Sequence, residues 1–362
     1  MLWYSFCMTQ KFPITILKAP EGTADGTRLA VDFYGDRVRL DTDSFVSEPV
    51  PLMVGTVYGY TLFGQTIPST SPTSANTYID PTGTYPLQII SKYPFATETD
   101  ARVTNYTTPT GPTIFGNTGL AGDEKVYSIS FSGAQNSPYQ NKPGWTIGVG
   151  LASGTVDNTF VDPAHVIVGG ATGSGTDGYV YGGYYYNDGP FPQPSGYIDT
   201  IYKFPFTASI SKNDVGELAT TGSWFATSGT DDTGFITMGY NTLPTNFATG
   251  TIIRTMAYSS DTLATSPYSM YINRAKARGI SSPTHGYAVG GGRMAPPYST
   301  FETDMQRYPF AQDAGSSDVG ELALAARNSI TLSSTEKGYV NGGYTTPAQS
   351  SNVDDQYSFP FA

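Results

Sequence analysis

Short apolar and aromatic runs alternate along this chain with polar stretches rich in Gly, Pro, Ser and Thr. No window sustains an apolar position every three to four residues, so the pattern predicts strands and turns rather than helices. One segment, Glu321-Leu322-Ala323-Leu324-Ala325-Ala326-Arg327, has helical composition, but it is short and falls inside a repeating unit. The most regular stretch is the last, Ala325–Ala362. There Gly338-Tyr339-Val340-Asn341-Gly342-Gly343 and Tyr357-Ser358-Phe359-Pro360-Phe361-Ala362 predict the second and third of three successive strands.

The same unit stands one period earlier. Arg278, Gly286-Tyr287-Ala288-Val289-Gly290-Gly291 and Tyr308-Pro309-Phe310-Ala311 match it, and Asp318-Val319-Gly320-Glu321-Leu322 follows. Gly286 and Gly338 lie 52 residues apart, and Pro309 and Pro360 lie 51 apart. Gly178-Tyr179-Val180-Tyr181-Gly182-Gly183 opens another copy, with Phe204-Pro205-Phe206 and Asp214-Val215-Gly216-Glu217-Leu218 after it. The copy at Gly234-Phe235-Ile236-Thr237-Met238-Gly239 has lost its Pro-Phe, Gly59-Tyr60 opens an earlier one, and Lys125–Gly133 is degraded. Repeat cores therefore start near 59, 125, 178, 234, 286 and 338.

A period near 50 residues with paired glycines predicts propeller blades. The expected fold is all-β, a six-bladed β-propeller over residues 28–362, with five or seven blades left open by the unclear register of 97–177. Glycine pairs are expected where inner strands crowd the axis, and the tyrosines and Pro-Phe aromatics are expected between blades. Proline is expected at the end of the third strand, where no ladder donor is needed. Residues 1–27 read as an N-terminal tail and a closing strand, and Leu29–Leu40 as a hairpin about Gly35-Asp36. The last repeat stops after its third strand, and a bare edge is a liability. Phe12–Leu17 is therefore expected to shut the ring beside Tyr357–Phe361.

Composition narrows the function. The chain has 362 residues, a net charge of −11 and 19 Lys and Arg scattered singly, so no basic stripe offers itself to nucleic acid. With Cys7 as the single cysteine no intrachain disulfide forms, and packing alone must hold the fold. No run is long and apolar enough to predict membrane insertion, and Met1–Cys7 lacks the basic start of a signal peptide.

The units resemble the kelch repeat in three features. These are an Arg-bearing first strand (Arg278, Arg327), a second strand ending in Gly-Gly, and a third, aromatic strand. The Pro-Phe-Ala ending and the Asp-Val-Gly-Glu-Leu step depart from the usual kelch tryptophan. That variant is similar to repeat proteins of marine tailed bacteriophages, where it occurs in virion structural proteins. The likeness covers roughly residues 55–362 and is clearest over 178–362. It implies a non-enzymatic virion component in a multi-copy assembly, on a tail fibre, a tail-associated appendage or the capsid exterior. Its partners would be other virion proteins and a host-surface glycan or receptor. The alternative is a secreted bacterial carbohydrate-binding or carbohydrate-active propeller, which would be extracellular.

Candidate chemistry is sparse. His285 precedes Gly286 where other copies carry Asp177, Thr233 and Lys337, so it reads as an exposed turn residue, and His165 stands alone. Two histidines and a cysteine outside the repeats do not suit the copper oxidases built on kelch propellers. No calcium-loop spacing, Gly-x-Ser-x-Gly or P-loop occurs, so no catalytic residue, metal or cofactor is expected. Glu217 and Glu321 repeat with the blade and read as structural. The strongest surface is aromatic: Tyr184, Tyr185, Tyr186 and Phe191, with Tyr197 beyond and Tyr298 in a second loop. The loops 65–86, 184–198, 241–250, 292–301 and 344–352 should share one face. Tyrosine with Asn and Asp there suits sugar or protein contact. The other reading packs these tyrosines against the neighbouring blade.

Overall fold

A computed structural model gives strands between Tyr4 and Pro360. It describes side chains over 169–184, 196–206, 213–240, 251–292, 301–325, 329–343 and 356–361, with 93, 95–98, 119–120 and 126–127 before them. Every described sheet is an antiparallel meander, and no α-helix occurs among the described residues. The chain divides into two compact units, Met1–Val50 and Pro51–Ala362.

The first unit is a five-stranded sheet of Tyr4–Met8, Phe12–Leu17, Arg28–Val31, Arg37–Asp41 and Ser44–Ser47, in that order. Phe12–Leu17 lies between Tyr4–Met8 and Arg28–Val31. Both its edges are taken, so it does not pair beside Tyr357–Phe361, and the expected closing strand is corrected. The hairpin expected to open the propeller, Leu29–Leu40, belongs to this same sheet.

The second unit is propeller-like. Four blades are described in side-chain detail, in place of the six expected. Blade I is Gly170–Gly173, Asp177–Tyr185, Gly196–Pro205 and Asn213–Glu217, with Val166–Ile167 also on its second strand. Blade II is Ala226–Gly229, Thr233–Thr237, Ile252–Ala257 and Thr262–Ser269. Blade III is Arg278–Ser281, His285–Val289, Asp304–Pro309 and Ser317–Glu321. Blade IV has three strands, Ile330–Ser333, Lys337–Tyr344 and Asn352–Pro360. The repeats expected near 59 and 125 form a three-stranded sheet, Tyr58–Tyr106, and a four-stranded one, Ile114–Asp162, of which few side chains are described.

One contact recurs from blade to blade. The aromatic after the leading glycine, or after Val126 in the degraded unit, slides beneath the third strand of the next sheet. Tyr127 stacks on Phe206 at 4.7 Å, Tyr179 on Tyr258 at 4.9 Å and Tyr287 on Phe361 at 5.3 Å. Phe235 packs on Phe310 at 4.7 Å. Blade IV does the same to the first sheet of the unit: Tyr339 stacks on Phe95 at 5.1 Å and meets Tyr93 edge-on at 5.2 Å. The array thus comes together through side chains, with Lys337 on Glu98 at 2.6 Å beside them.

The glycines have more specific reasons than crowding at the axis. A Cβ on Gly178 or Gly338 would lie 2.5 Å from the ring of Phe204 or Phe359, the aromatic opposite it in its own blade. The glycine pair is a left-handed bulge, with φ of 53° and 121° at Gly182 and Gly183 and a register shift beside them. Backbone also closes on the glycine pair as expected, since a Cβ on Gly182 would lie 2.6 Å from the Gly222 carbonyl, and on Gly279, whose Cβ would run into the Thr227 backbone of blade II. Proline does end the third strand, at Pro94, Pro205, Pro309 and Pro360.

Hydroxyls set the register between first strands. Thr227 Oγ1 donates to the Ala171 carbonyl at 2.7 Å, and Thr331 Oγ1 to that of Gly279 at 2.8 Å. The Ser281 hydroxyl accepts from Gly229 N–H, and the Ser333 hydroxyl from Ser281 N–H. In the Asp-Val-Gly-Glu-Leu step, Asp214 and Asp318 accept from Gly216 and Gly320 N–H. Leu218 and Leu322 are buried, while Glu217 and Glu321 stay exposed.

Tyr339→Ala should lower the unfolding free energy by about 3 kcal/mol, the scale of a large aromatic truncation, as read by urea denaturation. Asp261 offers a pH test. Burial pushes its pKa up, but hydrogen bonds from the Tyr179 hydroxyl and Lys203, with the Lys203 charge, hold it below the usual value. A depressed carboxylate contributes fully above its unfolded pKa, and the contribution is lost as pH falls through the folded one. Its side chain is one-third exposed. Asp261→Asn should therefore cost about 1 kcal/mol at neutral pH, and the difference should shrink as pH falls through the depressed pKa of the carboxylate.

Candidate functional site

Four aromatic rings and a lysine converge where blades I and II meet. Tyr184 lies near the end of the second strand of blade I, and Tyr197 begins near the start of its third. Trp224 precedes the first strand of blade II, and Tyr240 follows its second. All four are half-buried. Tyr197 sits at the centre, 4.9 Å from Tyr184, 5.4 Å from Tyr240 and 6.3 Å from Trp224. The Trp224 and Tyr240 rings are 5.6 Å apart. The Lys276 ammonium, from the segment leading into blade III, lies 4.6 Å above the Trp224 ring, an attraction between a cation and a ring quadrupole.

Backbone hydrogen bonds fix this arrangement. Gly222 N–H donates to the Ile198 carbonyl, and the Gly222 carbonyl accepts from Gly183 N–H at 2.7 Å. Ser223 and Tyr240 exchange both backbone bonds. The segment carrying Trp224 is thus fastened to both blades at once. Trp224 and Lys276 hold the left-handed region at φ of 53° and 61°, a conformation that a non-glycine residue keeps only when its surroundings impose it. Behind Lys276, the fully buried Arg274 donates to the Gly290 and Asp304 carbonyls at 2.9 Å and pairs with the Asp304 carboxylate at 3.1 Å.

Of the six aromatics singled out in the sequence, the structure brings Tyr184 and Tyr197 together. Tyr185 is described only as a strand residue, opposite Gly196 and Val166. Tyr186, Phe191 and Tyr298 lie outside the described residues, as does His165. Tyr197 also unites the two readings offered for these side chains, since it packs against blade II and still keeps part of its ring open. Trp224, Tyr240 and Lys276 were missed. Their signal was the placement of the 2–3 loops beside the connections between blades, which the expected shared face already contained. His285 is half-buried rather than exposed, with its Nδ1 2.8 Å from the Thr284 hydroxyl.

No group of three or more His, Cys, Asp or Glu side chains converges among the described residues in a way that would hold a metal. The arrangement offers flat, fixed apolar surface with phenol and ammonium groups at its margin. No protein-family model matches the chain, and no curated protein matches it.

Burial, and then the neighbouring Tyr240 and Tyr184 hydroxyls, push the Tyr197 phenol up to about 12. The phenolate absorbance lost in Tyr197→Phe should accordingly be the part that titrates about two units above an ordinary tyrosine. A phenol titrating at its ordinary value would show that the cluster is open to water.

Proposed function

We propose that this propeller is a non-enzymatic binding module of a tailed-phage particle, carried on a tail fibre, a tail-associated appendage or the capsid exterior. Support for the virion comes from the resemblance of the repeats to the kelch pattern in its Pro-Phe-Ala, Asp-Val-Gly-Glu-Leu variant. The binding role rests on one observation, the half-exposed Tyr184, Tyr197, Trp224 and Tyr240 cluster with Lys276. Rigid aromatic rings give large contact area at small entropy cost. They suit the apolar face of a sugar or a protein surface, and a lysine on a chain of net charge −11 draws acidic groups to that spot. The partner is a host-surface glycan or receptor, or a neighbouring virion protein.

Trp224→Gly combined with Tyr240→Ala tests the site, because glycine accepts the left-handed backbone at Trp224 without strain. The double variant should bind host cells at least thirtyfold more weakly, about 2 kcal/mol for a central aromatic contact, or fail to enter particles. A melting curve serves as control. Unchanged binding and incorporation with normal melting sinks the site. Mass spectrometry of purified particles tests the location, and absence of the chain there would favour a secreted sugar-binding propeller using the same rings.

A further inference from the structure

In blade III the third strand turns Gln306 toward blade II, and this side chain is 0% exposed. Its Oε1 accepts from Ile272 N–H at 3.1 Å and from the Ser316 hydroxyl at 3.1 Å. Its Nε2 donates to the Ile272 carbonyl at 3.3 Å. One amide thus meets both backbone groups of the residue by which the chain leaves blade II, a task that takes an acceptor and a donor together.

Blade II departs from this arrangement. Arg254 stands opposite Ile236 as Gln306 stands opposite Ala288, 52 residues earlier in the chain. Opposite and alternate residues of a sheet share a face. Ile236 and Met256 pack with Tyr179, Ile201 and Leu218 of blade I, so Arg254 belongs to that interface. The counterpart of Ile272 there is Thr220, because Leu218 N–H donates to the Asp199 carbonyl as Met270 N–H donates to that of Thr251. Arginine carries donors only, so it offers Thr220 N–H no acceptor. Its own charge is unmet as well. Arg254 is 5% exposed, and its Nε is buried without a hydrogen-bond partner. The ion pairs among the described residues do not include it, and the side chains packed on this face, Val215 and Leu263 among them, are apolar. Burial lowers the Arg254 pKa, yet a guanidinium stays charged at neutral pH, and a buried charge calls for a counter-charge.

We propose that Arg254 anchors a small-oxyanion site between blades I and II, taking phosphate or a carboxylate ion. The guanidinium fork donates to the oxygens of the anion, a geometry that suits both groups. One of those oxygens also accepts from Thr220 N–H, as Gln306 Oε1 does from Ile272. Arginine and anion together thereby replace a single glutamine. The near-complete burial of Arg254 admits a free ion rather than a group carried on a large partner. Thr220 leads through Gly222 to Trp224, so the bound ion fastens the segment that presents the ring, whatever that ring contacts.

Inorganic phosphate and acetate, titrated separately into the full chain by calorimetry at constant ionic strength, distinguish the two sources of the oxyanion. At least one should bind saturably at a single site and raise the melting temperature. Arg254→Gln installs the arrangement of blade III, and should fold normally while binding that anion at least tenfold more weakly. Its melting should follow only the general effect of the salt, which both proteins share. Arg254→Met, with an unbranched stem and no charge, gives the second comparison and should lose the anion equally. Absence of saturable binding of either anion to the native chain overturns the proposal. So does equal affinity in the native chain and a folded variant, which would mark an adventitious ion only.

Discussion

The interaction on which the rest depends is the insertion of one blade's aromatic beneath the third strand of the next. It dictates most of the repeat. The leading glycine is required because the opposite aromatic of its own blade lies over it, as Phe204 does over Gly178. Proline ends the third strand and sets down the second aromatic, as Pro360 does for Phe361. Magnitudes rank the contributions. An aromatic buries about 150–250 Å², roughly 4–6 kcal/mol of transfer free energy, whereas a hydroxyl bond such as Thr227 to Ala171 nets about 1 kcal/mol. Stability therefore resides in the rings, and the serines and threonines of the first strands choose the register in which they meet.

Much of this was legible because the repeat displays it several times. The spacing of Gly178, Gly234, Gly286 and Gly338, the aromatics after them and the terminal prolines predicted the strands and the direction of the side chains correctly. What failed was topology. Phe12–Leu17 alternates well enough to be a strand, but alternation does not name a partner, and its neighbours in sequence, Tyr4–Met8 and Arg28–Val31, took both edges. Local pairing closes a shorter loop than pairing with a strand more than 300 residues away, at lower entropic cost. The left-handed conformation of the glycine pair was not legible for another reason. A positive φ, as at Gly182 and Gly183, leaves no mark on composition beyond the glycine itself.

The candidate site was half legible for the same physical reason. Tyr184 and Tyr197 stand in a run of aromatics that any reading of the sequence would find. Trp224, Tyr240 and Lys276 are isolated in sequence and belong to the cluster only because blade connections and 2–3 loops share an end of the sheet. Trp224 and Lys276 also sit 52 residues apart at equivalent points before successive first strands, both left-handed. The fold thus uses one strained backbone position twice, once to present a ring and once to present the cation above it. Strain of this kind costs of order 1–3 kcal/mol per residue, which the bonds from Gly183, Ile198 and Tyr240 to the segment holding Trp224 help to offset.

Repetition within one chain also permits a comparison that ordinarily needs many sequences. The blade interfaces share a backbone and differ in side chains, so each tests what the others require. Where the inserted ring is Phe235, the facing turn offers Gln312; where it is Tyr179 or Tyr339, the turn offers Asp261 or Glu98. Other buried hydroxyls follow the same constraint with different partners, Tyr308 on Ser228 at 2.5 Å and Tyr181 on Thr172 at 2.6 Å. A phenylalanine would fill these spaces with nearly the same apolar area and no polar debt. Tyrosine at an interface between blades therefore records an acceptor, as Tyr179 records Asp261 and Tyr339 records Glu98.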